Sequence, residues 1–164
     1  RGLFIDHGMG VVIGETAIIG NNVTINEFVT INSSLTKGGI TTVGDGCYIM
    51  TKAHVGHDVI IGGGVILSCG VKLGGHSIIG AGSYLGLNSV THQFAKIGKY
   101  CMIGANAFFK GESPDGITWV GVPAKPIKVN EVGIERNIND VEEKDKIRNK
   151  SIEWLEEWKS KKLE

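Results

Sequence analysis

The stretch VIIGGGVILSCGVKLGGHSIIGAGSYLGLNSVTHQFAKIG (59–98) returns to the same chemistry every six residues. Ile61, Leu67, Leu73, Ile79, Leu85 and Ile97 are aliphatic, with Thr91 the one polar member of the series. Four residues after each stands a small or β-branched one: Val65, Val71, Ser77, Ser83, Ser89, Ala95 and Cys101. Glycine follows the aliphatic directly at 62, 74, 80, 86 and 98. Neither a helix, with its period of about 3.6 residues, nor strand alternation, with its period of about 2, produces this spacing. A short strand that turns one aliphatic inward and then bends at a corner does. Glycine is read as giving that corner its backbone freedom, and the small residue lets the next face close over a narrow interior. Three faces make a triangular coil of about 18 residues, and coils stacked in register pair their backbones as in other solenoids.

Followed outward, the series begins at Ile13 and runs to Phe109, and fifteen of its seventeen positions are apolar. The expected fold is therefore all-β, a parallel β-helix of hexapeptide repeats. The break lies at NSSLTKGGITT (32–42), which puts Lys37 on an inward position and reads as a loop thrown out of a corner, a common place for function on a rigid scaffold. GESPDG (111–116) is a turn cluster, and ITWVGVPAKPIKVN (117–130) reads as extended because its two prolines oppose a helix. From about Asn139 the composition changes to mixed charge without Gly or Pro. Ile138, Val141, Ile152, Leu155 and Trp158 then recur at roughly helical spacing, with Asn139 or Asp140 as the cap. This gives a β-helix domain over 1–116 and an extended segment with an amphipathic helix over 117–164.

Composition narrows the function. The formal net charge is zero, which offers no footprint for nucleic acid or an anionic membrane. No apolar run approaches the roughly 20 residues of a membrane span, and no leader is visible at the start. Cys47, Cys69 and Cys101 form no close pair and no CxxC, so reduced thiols in a cytoplasmic protein are expected. The chemistry points to the histidines, since imidazole is the side chain that exchanges protons near neutral pH. In coil register His54, His57, His76 and His92 gather on one edge over about three coils, and His7 stands apart. Asp58 follows His57, but neighbours on a strand point to opposite sides.

The segment 41–104, through AHVGHD, GGH and THQF and then GVPAKPIKVNEVGIER (121–136), resembles the UDP-N-acetylglucosamine O-acyltransferases of lipid A biosynthesis. The resemblance implies the left hand of the helix, which departs from the usual right-handed crossover. It implies His57 as general base, Asp58 as its acidic partner and a backbone amide at Gly75 for the oxyanion. It places His54, His76, His92 and Gln93 on the sugar and acyl donor, and Asn130 and Arg136 on the phosphate side of a nucleotide sugar. Ala105, Gly121 and Lys125 would meet the acyl donor. Acyl-CoA or acyl carrier protein is the implied co-substrate, with no permanently bound cofactor and no metal, and such proteins are homotrimers with sites between subunits. The family's HRGT after VTI is Asn32-Ser33-Ser34-Leu35 here, and Val122-Pro123-Ala124-Lys125 is closer to the acetyl-CoA-dependent sugar acetyltransferases. LFIDHGMGVVIGETAIIGNNVTI (3–25) is similar to serine acetyltransferases, which would make His7 the base. Two alternatives stay open: a zinc enzyme resembling the γ-class carbonic anhydrases, and a trimeric scaffold without catalysis.

Overall fold

The computed structural model describes residues 2–35 and 37–161. Twenty short strands are followed by two helices among these residues. The strands form three parallel sheets that the chain visits in strict rotation, the three faces of a left-handed β-helix of about six turns. The first face carries Tyr48–Ile49, Ile66–Leu67, Tyr84–Leu85 and Met102–Ile103. The second carries His54–Val55, Lys72–Leu73 and Val90–Thr91. The third carries Ile60–Ile61, Ile78–Ile79 and Lys96–Ile97. Register partners such as Ile66 and Tyr84 are 18 residues apart, so equivalent side chains form columns up each face and corner.

The interior follows the six-residue period. Ile49, Val55, Leu67, Leu73, Leu85 and Ile103 are buried, as are the small residues between them. Thr91 is buried as well, and its hydroxyl accepts from the Gly74 N–H at 3.2 Å and meets Ser77 Oγ at the same distance. The small polar residues close the corners: Ser77 Oγ donates to the Gly74 carbonyl at 2.6 Å, and Ser83 Oγ to that of Gly98 at 2.8 Å.

The repeated glycine has a different cause from the one its position suggests. Gly56 and Gly74 are not in the left-handed region. A Cβ on Gly56 would stand 2.7 Å from the Leu73 carbonyl oxygen, and one on Gly74 2.5 Å from the Gln93 nitrogen. Glycine is required there because consecutive coils approach too closely for a side chain. The left-handed conformation falls two residues later, at Asp58, His76 and Phe94 on one corner.

Lys37 is exposed, as a loop residue, and not inward. Thr30 pairs with His54 and Ile18 with Thr42, a spacing of 24 instead of 18 residues, so the interruption adds one face's length without disturbing the phase of the core. The boundary expected at 116/117 falls within a coil, because Ile117–Val120 continues the first face beside Met102–Ile103. Lys125–Val129 then returns antiparallel to it. A helix that the sequence reading left out, α1 (Glu131–Asn137), follows, capped by Asn130. The terminal helix α2 (Val141–Ser160) is capped by Asp140, whose carboxylate accepts from the Glu143 N–H at 2.8 Å. Its inner face agrees with the expected one at Leu155 and Trp158 and departs from it at Val141 and Ile152. Val141 and Ile152 are exposed, while Ile147, Ser151, Trp154, Leu155 and Trp158 turn inward. Ser151 Oγ donates to the Asp115 carbonyl at 2.9 Å, Trp154 lies 5.9 Å from Trp119, and Arg148 pairs with Glu131 and Glu135 of α1. Thus α2 packs on the last coil of its own chain. No helix among the described residues is long and apolar enough to cross a membrane.

Candidate active site

The corner between the second and third faces gathers several of the candidate side chains. His57 and Asp58 sit on its turn rather than on a strand, and Asp58 adopts φ +58°. That conformation, tolerated by Asp better than by most residues, swings the carboxylate beside its neighbour. His57 Nδ1 lies 2.9 Å from Asp58 Oδ2. The strand-based objection to this pair therefore does not apply. A carboxylate accepts and does not donate, so Nδ1 carries the proton in the neutral ring and Nε2 is left unprotonated.

Nε2 points up the corner to the next coil. An ideal Cβ on Gly75 would lie 2.6 Å from His57 Nε2, 2.7 Å from Cε1 and 3.0 Å from Cδ2. Gly75 is thus required by the imidazole that rests on it. Its backbone N–H makes no hydrogen bond among the described residues. One position along, His76 meets His57 edge-on at 5.0 Å between centroids and stacks on Phe94 of the following coil at 4.6 Å. Phe94 belongs to the HQF motif but was not singled out by sequence. His57 and His76 side chains are 30% and 28% exposed and that of Asp58 is 5% exposed, so the pair opens to solvent on one side only.

The remaining candidates separate by place. Gln93 lies on the same corner above Gly75, and His92, beside it, is exposed and edge-on to Phe108 at 6.2 Å. His54 stands on the flat second face, where its Nδ1 lies 2.7 Å from Thr30 Oγ1; burial, and then Lys72, hold its pKa below the ordinary value. His7 is on another corner and exposed, 3.1 Å from Asp6. Asn130 is buried. Its amide nitrogen donates to the Tyr100 carbonyl at 2.7 Å and its oxygen caps α1. Exposed Arg136 and Asn130 line a groove of about 470 Å³ between the first face and α1, with Ile66, Tyr84, Met102 and Thr118 as its floor and walls. In a triangular coil this face lies opposite the His57 corner, so one protomer does not bring the two sets together. Ala105 is exposed on the corner between the first and second faces, Gly121 receives the Phe108 N–H at 3.0 Å, and Lys125 is exposed.

His57, Asp58 and His76 offer ligand atoms within 4.8 Å of one another, a set of the type that holds a metal. The Asp58 carboxylate also accepts from Ser34 Oγ and from the Leu35 N–H at 3.3 Å, contacts that a ligating carboxylate can keep.

The model of the hexapeptide repeat of succinyl-transferase matches residues 7–27 and 53–87. The chain is a hexapeptide-repeat solenoid similar to known acyltransferases. Over 98 residues, 60% of the chain, it is 38% identical to the acyl-[acyl-carrier-protein]–UDP-N-acetylglucosamine O-acyltransferase of Burkholderia orbicola. It spans only 37% of that protein's length. The UDP-N-acetylglucosamine acyltransferase of Campylobacter jejuni superposes with a TM-score of 0.77 and 31% identity, over 88% of this chain and 60% of that one. A perosamine N-acetyltransferase variant from Caulobacter crescentus, solved with CoA and GDP-perosamine, gives a TM-score of 0.69 and 26% identity, over 77% and 57%.

Proposed function

We propose that this hexapeptide-repeat protein is an acyltransferase that moves an acyl group from the thioester of CoA or acyl carrier protein to a hydroxyl or amine of a nucleotide sugar, with His57 as general base. One observation carries the reading. The His57–Asp58 bond of 2.9 Å fixes the imidazole with Nε2 directed over Gly75 and toward solvent. In the proposed step, the acceptor O–H or N–H loses its proton to Nε2 as its lone pair attacks the thioester carbonyl. The tetrahedral oxyanion accepts a hydrogen bond from the Gly75 N–H, which has no partner among the described residues. Collapse expels the thiolate, which takes the proton back from the imidazolium. His76, Gln93 and His92 stand along the same corner to orient donor and acceptor. No covalent enzyme intermediate is needed.

The placement of Asn130 and Arg136 on the opposite face supports a site shared between subunits of a homotrimer. The third face, which flanks the His57 corner, offers Ile18, Ile60 and Ile78, each 39–55% exposed, as a surface for a second copy. The sugar acceptors and CoA or acyl carrier protein named for the relatives supply the substrate classes to test. Purified protein, with acetyl-CoA and longer acyl thioesters against UDP-, GDP- and dTDP-sugars, should release free thiol. His57→Gln should lower kcat on the order of 10²- to 10⁴-fold, the usual worth of general-base help, with unchanged far-UV circular dichroism. A fully active His57→Gln overturns the assignment of the base.

A further inference from the structure

The loop inserted at 32–41 returns to the corner that holds the base. The Ser34 N–H donates to Thr16 Oγ1 at 2.9 Å, on the coil below. From there Ser34 Oγ donates to Asp58 Oδ1, and the Leu35 N–H donates to Asp58 Oδ2 at 3.3 Å. The far end of the same loop is tied down too, since Thr41 Oγ1 accepts from the Asp58 N–H at 2.9 Å. The loop thus grips Asp58 at its backbone and at both carboxylate oxygens. Asp58 Oδ2 also receives His57 Nδ1 at 2.9 Å, and the Asp58 side chain is 5% exposed.

We propose that Ser34 is a positioning residue for the His57–Asp58 pair: its hydroxyl holds the Asp58 carboxylate turned toward His57 Nδ1, and so keeps Nε2 free of its proton. The inference rests on the reading of His57 as general base. Asp58 sits in a left-handed turn with its χ angles set by what surrounds it, and its two oxygens are equivalent until something distinguishes them. Ser34 does so by taking Oδ1 and leaving Oδ2 for the imidazole. Without the hydroxyl the carboxylate loses one of the contacts that fix its rotation, and its Oδ2 is held less firmly against the His57 ring whose tautomer it selects. A ring with Nε2–H is a donor at the position where the reaction needs an acceptor. The loop, which the six-residue period marks only as an interruption, becomes part of the site by this contact.

The test compares Ser34→Ala, Ser34→Thr and His57→Gln in steady-state acyl transfer, with ¹⁵N NMR of ring-labelled histidine reporting the His57 tautomer. Ser34→Ala should lower kcat by about ten- to a hundredfold, the worth of one hydrogen bond to a charged group. KM for donor and acceptor should stay close to the parent values, and part of the neutral His57 signal should move from Nδ1–H to Nε2–H. Ser34→Thr keeps the hydroxyl and should restore rate and tautomer together. If Ser34→Ala misfolds, Ser34→Cys, with its weaker donor, takes its place with the same expectation. An unchanged rate and tautomer in Ser34→Ala, beside an inactive His57→Gln, overturns the role of Ser34 and leaves the base standing. A loss confined to KM, with the tautomer unchanged, makes the loop a substrate contact and overturns positioning. An active His57→Gln removes the base, and the proposal with it.

Discussion

Replacing Gly75 with alanine tests the stacking of His57 on the coil above it without touching either member of the pair. The added methyl would stand 2.6 Å from His57 Nε2. Non-bonded heavy atoms settle at about 3.5–4 Å, so the ring must retreat by about 1 Å. A misplacement of that size in a reacting group costs on the order of 10²-fold in rate. The backbone itself accepts the change, because Gly75 is outside the left-handed region. The ring is also 30% exposed and has room to swing outward, so the coil is spared strain. Gly75→Ala should therefore fold with a melting temperature within a few degrees of the parent, while kcat falls about a hundredfold. Gly63→Ala is the control. It occupies the equivalent turn position at another corner, where the next coil already carries Ala81, and its Cβ would come no closer than 3.2 Å to a neighbour, the Asp45 carbonyl. Thiol release from acyl-CoA, measured with saturating acceptor, gives the rates. A Gly75→Ala protein with parental kcat would show that His57 does not work from the position described.

Two further outcomes follow from burial. Cys47 and Cys101 are buried, and burial pushes both thiols up, that of Cys101 to about 11, whereas Cys69 is partly exposed. A thiol-exchange reagent at pH 8 should label Cys69 in the folded protein and the other two only as the chain unfolds; rapid labelling of all three would contradict the packing of the corners. His54 has its pKa lowered by burial and by Lys72, so the folded state resists its protonation more than the unfolded state does. Stability should decline as pH falls below about 6.5, the unperturbed value, and level off once the folded-state pKa is passed. His54→Gln should flatten that part of the melting curve against pH, and an unchanged acid slope would refute the assignment.

The coil was legible in the sequence because one physical constraint, a narrow interior visited every six residues, acts on every coil alike. Where a second constraint enters, legibility drops. The glycines were found but given the wrong cause, since backbone freedom and close approach select the same residue and only the distance between coils tells them apart. The inner face of α2 keeps the expected Leu155 and Trp158 but takes in Ser151, which bonds to the Asp115 carbonyl, in place of Val141 and Ile152, because polar burial leaves no mark in an apolar pattern. The short α1 was missed although Asn130 and Glu131 form its cap and first turn. At the site, register alone places His57 and His76 on neighbouring coils of one corner. The contact of His57 with Asp58 depends on a left-handed turn, and the contact of Asp58 with Ser34 on the path of an irregular loop; neither is periodic.

The columns of the solenoid bear on how the protein comes apart. Each coil touches only the one above and the one below, so its opening is set by those two seams and its own content, not by the whole molecule. The corner that joins Ser34, Asp58, Gly75 and Phe94 draws on four successive levels of the stack. Its integrity is the joint probability that all of them are closed. Fraying of any one of these levels dissolves the arrangement while most of the β-structure stays intact, so the geometry of this corner is a more fragile property of the chain than its fold.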